Sequence, residues 1–351
     1  MRFVVHGVLE NQSSDPSDAL DMHEGYELSD PAAAARRRPR MSPGVFGLHR
    51  IAAVNSSVCG LATMLWQVTV FLSIFALGAN AQDTVPPAAA GMRLSFSETF
   101  HAPLSWCSER CQGEKWRTKY NHSGDTPLSR GLGMSGSESE IFMDPTYLGL
   151  GVNPFHIDHG TLSLLIEPAS EQVKSTVLAA WPSWWGGKKV APRFTAGMLS
   201  TEKSFQQLYG YFEARIKISN VPGTWPAFWF LALEKPGDEI DVMEILGGRP
   251  TRQHMSDHWK VDGQKHDQSK TLDTVDLSAD FHTYGLLWMP DTIAYYLDNV
   301  EVGRFPNLGL HSSMYMIISM GMDGDWNKTD GYSARPDAHA KMVVQFVKSY
   351  Q

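Results

Sequence analysis

The sequence predicts an all-β fold from residue 92 to residue 351, a two-sheet antiparallel β-sandwich of the jelly-roll type. Three observations predict it. The apolar patterns in this part are short and mostly of period two, as in half-buried strands. Thirty glycines and twenty prolines supply frequent turns. No convincing amphipathic helix of about 12 residues interrupts the pattern. Many short strands joined by turns are typical of two sheets packed around one core.

A charge-free run from residue 51 to residue 82 predicts that the following chain is exported. Its apolar centre, residues 61–77, approaches the roughly 20 residues that cross a bilayer as a helix. Several arginines precede the run and Asp83 is the first charge after it, so we expect the N-terminal side to stay in the cytoplasm. Residues 58–81 are therefore either a signal peptide core, cut after Ala79-Asn80-Ala81, or a single transmembrane helix in which residues 58–79 form a membrane anchor.

The regions around this run differ in composition. Residues 1–57 lack a sustained apolar period and predict a disordered cytoplasmic or leader segment. Residues 82–91 are rich in proline and alanine and predict a linker. We therefore expect residues 92–351 to form a domain outside the cytoplasm, which is periplasmic, secreted or held at the membrane.

Net charge and cysteine content restrict the classes of ligand and cross-link that we expect. A net charge of −8 and a pI near 5.9 argue against nucleic acid, which requires a basic face. Cys107 and Cys111 can close a small disulfide loop in an oxidising compartment. Two further ligands at a spacing suited to zinc are not evident, so we expect no metal site.

Six segments of the predicted domain have the pattern of strands, and Asp298-Asn299 predicts a turn that leads into a further strand from Val300. The six segments are residues 161–167, 209–218, 281–288, 292–298, 315–320 and 342–348.

Acidic residues concentrate in the segment 237–248, where they alternate with apolar residues as on a strand. Glu239 and Asp241 share a face of this predicted strand. Regular alternation would turn Glu244 to the opposite face. One extra residue near Val242 and Met243, a β-bulge, would return Glu244 to the acidic face. The hypothesis of a common site therefore requires a bulge.

With the bulge, Glu239 and Glu244 are about 13 Å apart along the strand, and inward-leaning side chains bring their carboxyl groups to about 5 Å. This is the separation expected of a retaining glycosidase, in which one carboxylate attacks the sugar and the other protonates the leaving oxygen. Two carboxylates at that distance repel by about 3 kcal/mol, so one remains protonated while the other is ionised. Asp241 lies between them and can hydrogen-bond the nucleophile.

Taken alone, the Glu-x-Asp-x-x-Glu pattern is weak, since it occurs by chance in roughly one chain in fifteen of this length. A solvated acidic strand or a calcium site is the alternative. Calcium favours oxygen-rich loops over a strand that alternates with isoleucine, valine and methionine.

Seven blocks in order make the pattern specific: together they resemble glycoside hydrolase family 16, the β-1,3- and β-1,3-1,4-glucanases with a concanavalin-like jelly roll. The resemblance covers about residues 92–351. The blocks are residues 138–147, 150–155, 195–201, 209–217, 223–231, 281–291 and 321–326.

The resemblance implies roles at matching positions. Glu239 falls on the family's nucleophile, Glu244 on its acid/base, and Asp241 on the assisting acid. Met243 matches the bulged, laminarinase-like form of the motif. Two positions depart from the family's pattern at the cleft: Met198 stands where several relatives have arginine, and the family's Gly-Gly-x-Trp loop appears here as Asp323-Gly-Asp-Trp326.

Aromatic side chains are the candidates for binding sugar rings, because their faces suit the apolar faces of pyranoses. Trp225 and Trp326 are the first candidates, whereas Trp229 and Trp288 are expected in the core. A cluster at Trp181, Trp184 and Trp185 either rims the cleft or stabilises its own loop. The further substrate-binding candidates, placed 10 to 15 residues after the acidic strand, are His254, His258 and Trp259.

The sequence thus predicts an exported, endo-acting, retaining β-glycosidase that acts on β-1,3 or β-1,3-1,4 glucan or a related bacterial exopolysaccharide. We expect a monomer that needs no cofactor. A transglycosylase with the same residues, a glycan-binding jelly roll without activity and an anchored structural protein of the envelope are the alternatives. The linkage of the glucan is left open, because loops around the cleft decide it.

Overall fold

The computed structural model describes residues 85–133 and 138–351. In this part of the chain, eighteen strands form two sheets and two short α-helices lie between strands. The predicted disordered segment, residues 1–57, and the predicted signal peptide or transmembrane helix, residues 58–81, lie outside the described residues. Within residues 85–133 and 138–351, no helix has the length and apolar character needed to cross a bilayer.

One sheet has ten strands. Its order is β16-β15-β14-β9-β18-β6-β7-β4, with β1 paired to β18 and β5 paired to β6. The strands are β1 (Leu94–Glu98), β4 (Glu140–Phe142), β5 (Phe155–Asp158), β6 (Thr161–Pro168), β7 (Phe194–Ala196), β9 (Gly210–Lys217), β14 (His282–Trp288), β15 (Thr292–Leu297), β16 (Val300–Pro306) and β18 (Ala340–Tyr350).

The other sheet has eight strands in the order β13-β12-β11-β10-β17-β8-β3-β2. Pairing is antiparallel throughout both sheets except for β2 with β3 and β4 with β7. The strands are β2 (Trp106–Cys107), β3 (Trp116–Arg117), β8 (Met198–Ser200), β10 (Thr224–Ala232), β11 (Glu239–Glu244), β12 (Arg252–Val261), β13 (Gln264–Asp273) and β17 (Met314–Met322).

The core lies between the sheets, where alternate side chains of their inner faces meet. Phe230 of β10 packs edge-on against Phe212 of β9, with ring centroids 5.0 Å apart. Trp288 is fully buried there and donates from its indole to the carbonyl of Leu310. The predictions of a two-sheet sandwich and of Trp288 in its core are confirmed.

The helices are short, in line with the absence of long amphipathic patterns. Helix α1 (Glu171–Ala179) begins after Ser170, whose Oγ accepts a hydrogen bond from the N–H of Val173. Val173 and Val177, one turn apart, are its buried residues. Helix α2 (Asp325–Thr329) follows β17 and presents Trp326.

The first described residues pack on the ten-stranded sheet. A 3₁₀ turn covers Pro87–Ala89, and Ala89 is buried against Tyr211 and Tyr350. Ala88 and Ala89 of the predicted linker, residues 82–91, thus pack on this sheet, because Tyr211 and Tyr350 offer an aromatic surface. Near β2, Cys107 and Cys111 are joined by a disulfide.

Candidate active site

Strand β11 carries the bulge that the sequence requires. Against β12, Asp241 lies opposite Ser256 and Glu244 lies opposite His254, so three steps along β11 match two along β12. Against β10, the register skips Val242 in the same way. Because directly opposed residues share a face, Glu239, Asp241 and Glu244 all project from one side of the eight-stranded sheet. We call this side the acidic face.

Packing fixes the opposite side of β11. Ile240, Val242 and Met243 are all fully buried in the core between the sheets. Turning Glu244 inward would place a carboxylate among these apolar side chains, where an unpaired charge is very costly. The apolar residues between the acids thus hold the acids outward.

Asp241 is held by two side chains of β12. It is 2% exposed, accepts a hydrogen bond of 2.7 Å from Ser256 Oγ, and lies 3.3 Å from His258 Nε2. Burial would lower the pKa of His258, but the hydrogen bond and charge of Asp241 more than offset this and raise that pKa to about 9. His258 is therefore an imidazolium at neutral pH, directly opposite Glu239 in the register.

Both glutamates hold their protons more tightly than ordinary carboxyl groups. Burial, followed by the charge of Asp241, raises the pKa of Glu239 well above its usual value, while the charge of His258 acts in the opposite direction. Burial and Asp241 also raise the pKa of Glu244 well above its usual value, and the indole of Trp225 opposes this rise. Glu239 and Glu244 thus retain protons at pH values where isolated carboxyl groups would be ionised.

Three of the predicted substrate-binding residues form an aromatic wall beside Glu244. Trp326 of α2 packs edge-on against Trp225, with ring centroids 5.5 Å apart, and against His254, with ring centroids 4.2 Å apart. His254 lies opposite Glu244, and its Nδ1 forms a hydrogen bond of 3.1 Å with Thr271 Oγ1. Burial, and then Arg252 and Arg249, lower the pKa of His254 to about 4, so this ring is neutral.

Trp259, also predicted to bind substrate, is instead a core residue. Side chains alternate along β12, so His258 on the acidic face sends its neighbour Trp259 to the other face. Trp259 is 6% exposed, packs in the core, and approaches Gly309 so closely that an added Cβ there would lie 2.2 Å from the indole. The prediction was wrong because β12 pairs regularly with β13 at these positions, and consecutive residues of a regular strand face opposite sides.

Sequence reasoning missed several aromatic residues of the acidic face. Trp229, expected in the core, lies opposite Asp241 and donates from its indole to Ser319 Oγ at 3.1 Å. The ring of Tyr120 packs edge-on against Trp229 at 6.2 Å. Tyr315 lies on the same face, and burial with the charges of Glu202 and Glu239 raises its pKa. Period two along β10 puts Trp225 and Trp229 on one side, a signal that could have placed Trp229.

Met198, which stands where several relatives have arginine, lies on β8. The neighbouring strand β3 carries an arginine in a buried ion pair. Arg117 of β3 pairs with Glu202, and both side chains are at most 5% exposed. Arg117 also donates to Asn121 at 2.9 Å. A guanidinium is thus present on the third strand from β10, where it already pairs with Glu202 and donates to Asn121. Among the residues that the structure describes, no group of three or more His, Cys, Asp or Glu has the arrangement of a metal site.

The chain is similar to known glycanases in sequence. Residues 170–340 match the family described as glycosyl hydrolases family 16. The endo-1,3-1,4-beta-glycanase EglC of Rhizobium meliloti (strain 1021) is 31% identical over 230 residues, which are 63% of this chain and 45% of that protein. The beta-glucanase of Rhodothermus marinus is 29% identical over 183 residues, 45% of this chain and 63% of that protein. The chain spans about half the length of the Rhizobium relatives it matches.

Solved structures share the fold. The non-specific endo-beta-1,3(4)-glucanase SCLam is 23% identical with a TM-score of 0.58, covering 76% of this chain and 93% of that chain. The laminarinase catalytic domain from Thermotoga maritima MSB8 is 19% identical with a TM-score of 0.54, covering 74% of this chain and 98% of that chain. In sequence over residues 170–340 and in fold, the chain therefore resembles glycosyl hydrolases family 16.

Proposed function

We propose that the protein is an endo-acting β-glucan hydrolase that retains the configuration of the sugar it cleaves. The observation that carries this proposal is the bulge of β11, which presents Glu239, Asp241 and Glu244 on one face of one strand. Two carboxyl groups on a common face, one protonated and one ionised, are the machinery of glycoside hydrolysis.

The reaction has two steps. Glu239 attacks the anomeric carbon while the glycosidic C–O bond breaks, and the proton of Glu244 passes to the departing oxygen. Glu244, now a carboxylate, takes a proton from water, whose oxygen bonds to the anomeric carbon as the bond to Glu239 breaks. Each carboxyl group ends in the state in which it began.

Asp241 and His258 set the proton distribution for these steps. The charge of Asp241 raises the pKa of both glutamates, which favours a protonated Glu244 before the first step. His258, an imidazolium opposite Glu239, lowers the pKa of Glu239 and so favours its ionised, nucleophilic form. Asp241 thus raises both pKa values, while His258 offsets part of the rise at Glu239 and is no cause of the shift at Glu244.

The aromatic wall of Trp225, Trp326 and His254 supports a polysaccharide substrate, because stacked aromatic faces bind pyranose rings. We propose β-1,3 or β-1,3-1,4 glucan, or a related exopolysaccharide. The similarity to EglC, an endo-1,3-1,4-beta-glycanase, supports this substrate class.

We also propose that the domain acts outside the cytoplasm, by secretion or at the membrane. The charge-free segment 51–82 and its arginine flank support export. The disulfide between Cys107 and Cys111 is consistent with an oxidising compartment.

The test is to replace Glu239 or Glu244 by glutamine in the full chain and to measure the release of reducing ends from laminarin and mixed-linkage glucan. Either change should lower kcat/KM by at least about a thousandfold. Glu213→Gln is the control, since it removes a buried carboxyl group, 3% exposed, from the ten-stranded sheet. Full activity in the Glu239 or Glu244 variant, with the parent protein active, would refute the assignment.

Product analysis separates the hydrolase from a transglycosylase, which would pass the sugar on Glu239 to an added acceptor oligosaccharide. A hydrolase should give mainly shorter products with new reducing ends. Binding to glucan without any new reducing ends would favour the glycan-binding alternative.

A further inference from the structure

The bulge of β11 creates a backbone position without regular pairing. In the register of the described strands, Val242 is skipped both by β10 and by β12. A bulge leaves its extra residue outside the ladder. Val242 is fully buried, so its carbonyl cannot turn to water.

Gln253 supplies the missing partner. Its amide nitrogen donates a hydrogen bond of 3.0 Å to the carbonyl oxygen of Val242. Gln253 is a residue of β12, fully buried, and lies on the core side of that strand, next to His254 on the acidic face. Among the described residues, its amide oxygen has no hydrogen-bond partner. The bond to Val242 is therefore the polar contact that this amide makes in the core.

The energetics favour a specific role for this bond. A buried carbonyl without a donor costs about 1–3 kcal/mol. β11 could avoid an unpaired carbonyl by shifting its register by one residue. Such a shift turns the affected side chains to the other face of the sheet. Any such shift beyond Val242 would carry Glu244 away from Glu239 and Asp241.

We infer that Gln253 is a positioning residue for the reaction, and that its amide holds the bulge by which Glu244 reaches the acidic face. This inference rests on the proposed function in so far as Glu244 is the acid. Gln253 touches neither substrate nor the reacting carboxyl groups. It acts on them through the backbone of β11.

The decisive variant is Gln253→Met, which keeps the length of the side chain and removes its donor. Gln207→Met is the matched control. Gln207 is also buried, 4% exposed, and its amide donates to two backbone carbonyls, of Tyr209 at 2.7 Å and of Tyr350 at 3.0 Å. Both variants lose amide-to-carbonyl bonds in the core, but only Gln253 contacts β11.

We expect Gln253→Met to lower kcat on laminarin by about 10- to 100-fold with little change in KM, because a displacement of about 1 Å costs that much. Gln207→Met should lose thermal stability and keep the kcat of its folded fraction. Hydrogen exchange gives a second readout that does not depend on catalysis. Amides of residues 240–246 should exchange faster in Gln253→Met than in Gln207→Met.

A second variant, Gln253→Glu, tests the donor itself. A buried carboxylic acid stays protonated, and its O–H can donate to the carbonyl of Val242. We expect Gln253→Glu to retain a higher kcat than Gln253→Met at the same pH.

The inference is overturned if Gln253→Met keeps the parent kcat, or if the two methionine variants show equal losses of kcat and equal exchange of residues 240–246. It is also overturned if glutamate at position 253 performs no better than methionine. A parent protein inactive on every glucan would instead refute the proposed function, while exchange of residues 240–246 would still decide the role of Gln253.

Discussion

Burial favours the protonated form of Glu239 and Glu244 on β11 and of Asp144 beside Arg130, yet the neighbouring groups act on the pKa values of these acids in opposite directions. Arg130, with no exposed side-chain surface, lies 2.8 Å from Asp144 and 2.6 Å from Asp125. Burial alone would raise the pKa of Asp144, but Arg130 and hydrogen bonds from Thr146 and Thr118 more than offset it, and the pKa is lowered. On β11, by contrast, burial and Asp241 both raise the pKa of the neighbouring glutamates.

This difference separates a structural cluster from a chemical one. Asp144 is compensated by a guanidinium and fixes the chain between β3 and β4. Glu239 and Glu244 are crowded by a like charge, and His258 compensates only part of it. Carboxyl groups that retain protons near neutral pH can donate them, whereas a carboxylate held by arginine cannot.

The largest expected effect comes from removing Arg130, the counter-charge of Asp144. Arg130→Met leaves Asp144 buried without its counter-charge and should lower the free energy of unfolding by about 3–5 kcal/mol at pH 7. Because the pKa of Asp144 is lowered in the folded state, its contribution is present above about pH 4 and is lost as the pH falls further. The difference between parent and variant should therefore shrink in acid, as urea denaturation at several pH values would measure.

The control for this prediction is Arg335→Met. Arg335 pairs with Asp337, but the two side chains are 82% and 68% exposed. Its removal should cost about 0–1 kcal/mol. Equal losses in the two arginine variants would mean that burial does not distinguish the pairs.

A smaller effect is expected from removing the charge of Asp241 beside Glu239 and Glu244. Asp241→Asn removes the charge that raises the pKa of Glu239 and of Glu244, so both limbs of the pH profile of kcat/KM should move to lower pH. Activity at pH 7 should fall roughly 10- to 100-fold, because Glu244 would then lose its proton too readily. If both limbs stay at the pH values of the parent protein, Asp241 does not determine the pKa values of Glu239 and Glu244.

The smallest effect should come from the aromatic wall, which leaves the acids untouched. Trp326→Ala should raise KM by roughly two- to tenfold, the value of one ring contact, with both pH limbs unmoved. Val300→Ala, which removes a 65% exposed apolar side chain from the ten-stranded sheet, is the control and should leave KM unchanged. A displaced pH limb in Trp326→Ala would contradict the separation between ring binding and proton control.

Local patterns account for what the sequence predicted well. Period two placed the strands, and the odd spacing of Glu244 required a bulge that the register contains. Contacts between distant segments could not be predicted in this way. Tyr120 contacts Trp229 from a loop far upstream, and no sequence pattern near either residue predicts this contact. The partner of the bulge, Gln253, reads as an ordinary polar residue until the register is known.

The position of β18 has a consequence for synthesis of the chain. This strand, Ala340–Tyr350, comes last in order among the described strands, yet it lies inside the ten-stranded sheet, between β9 on one side and β6 with β1 on the other. While a ribosome is still making residues 340–350, the edges of β9, β6 and β1 have nothing to pair with. Assembly of this sheet must therefore wait until translation has passed residue 350, and chains stalled before that point expose unpaired edges that favour aggregation.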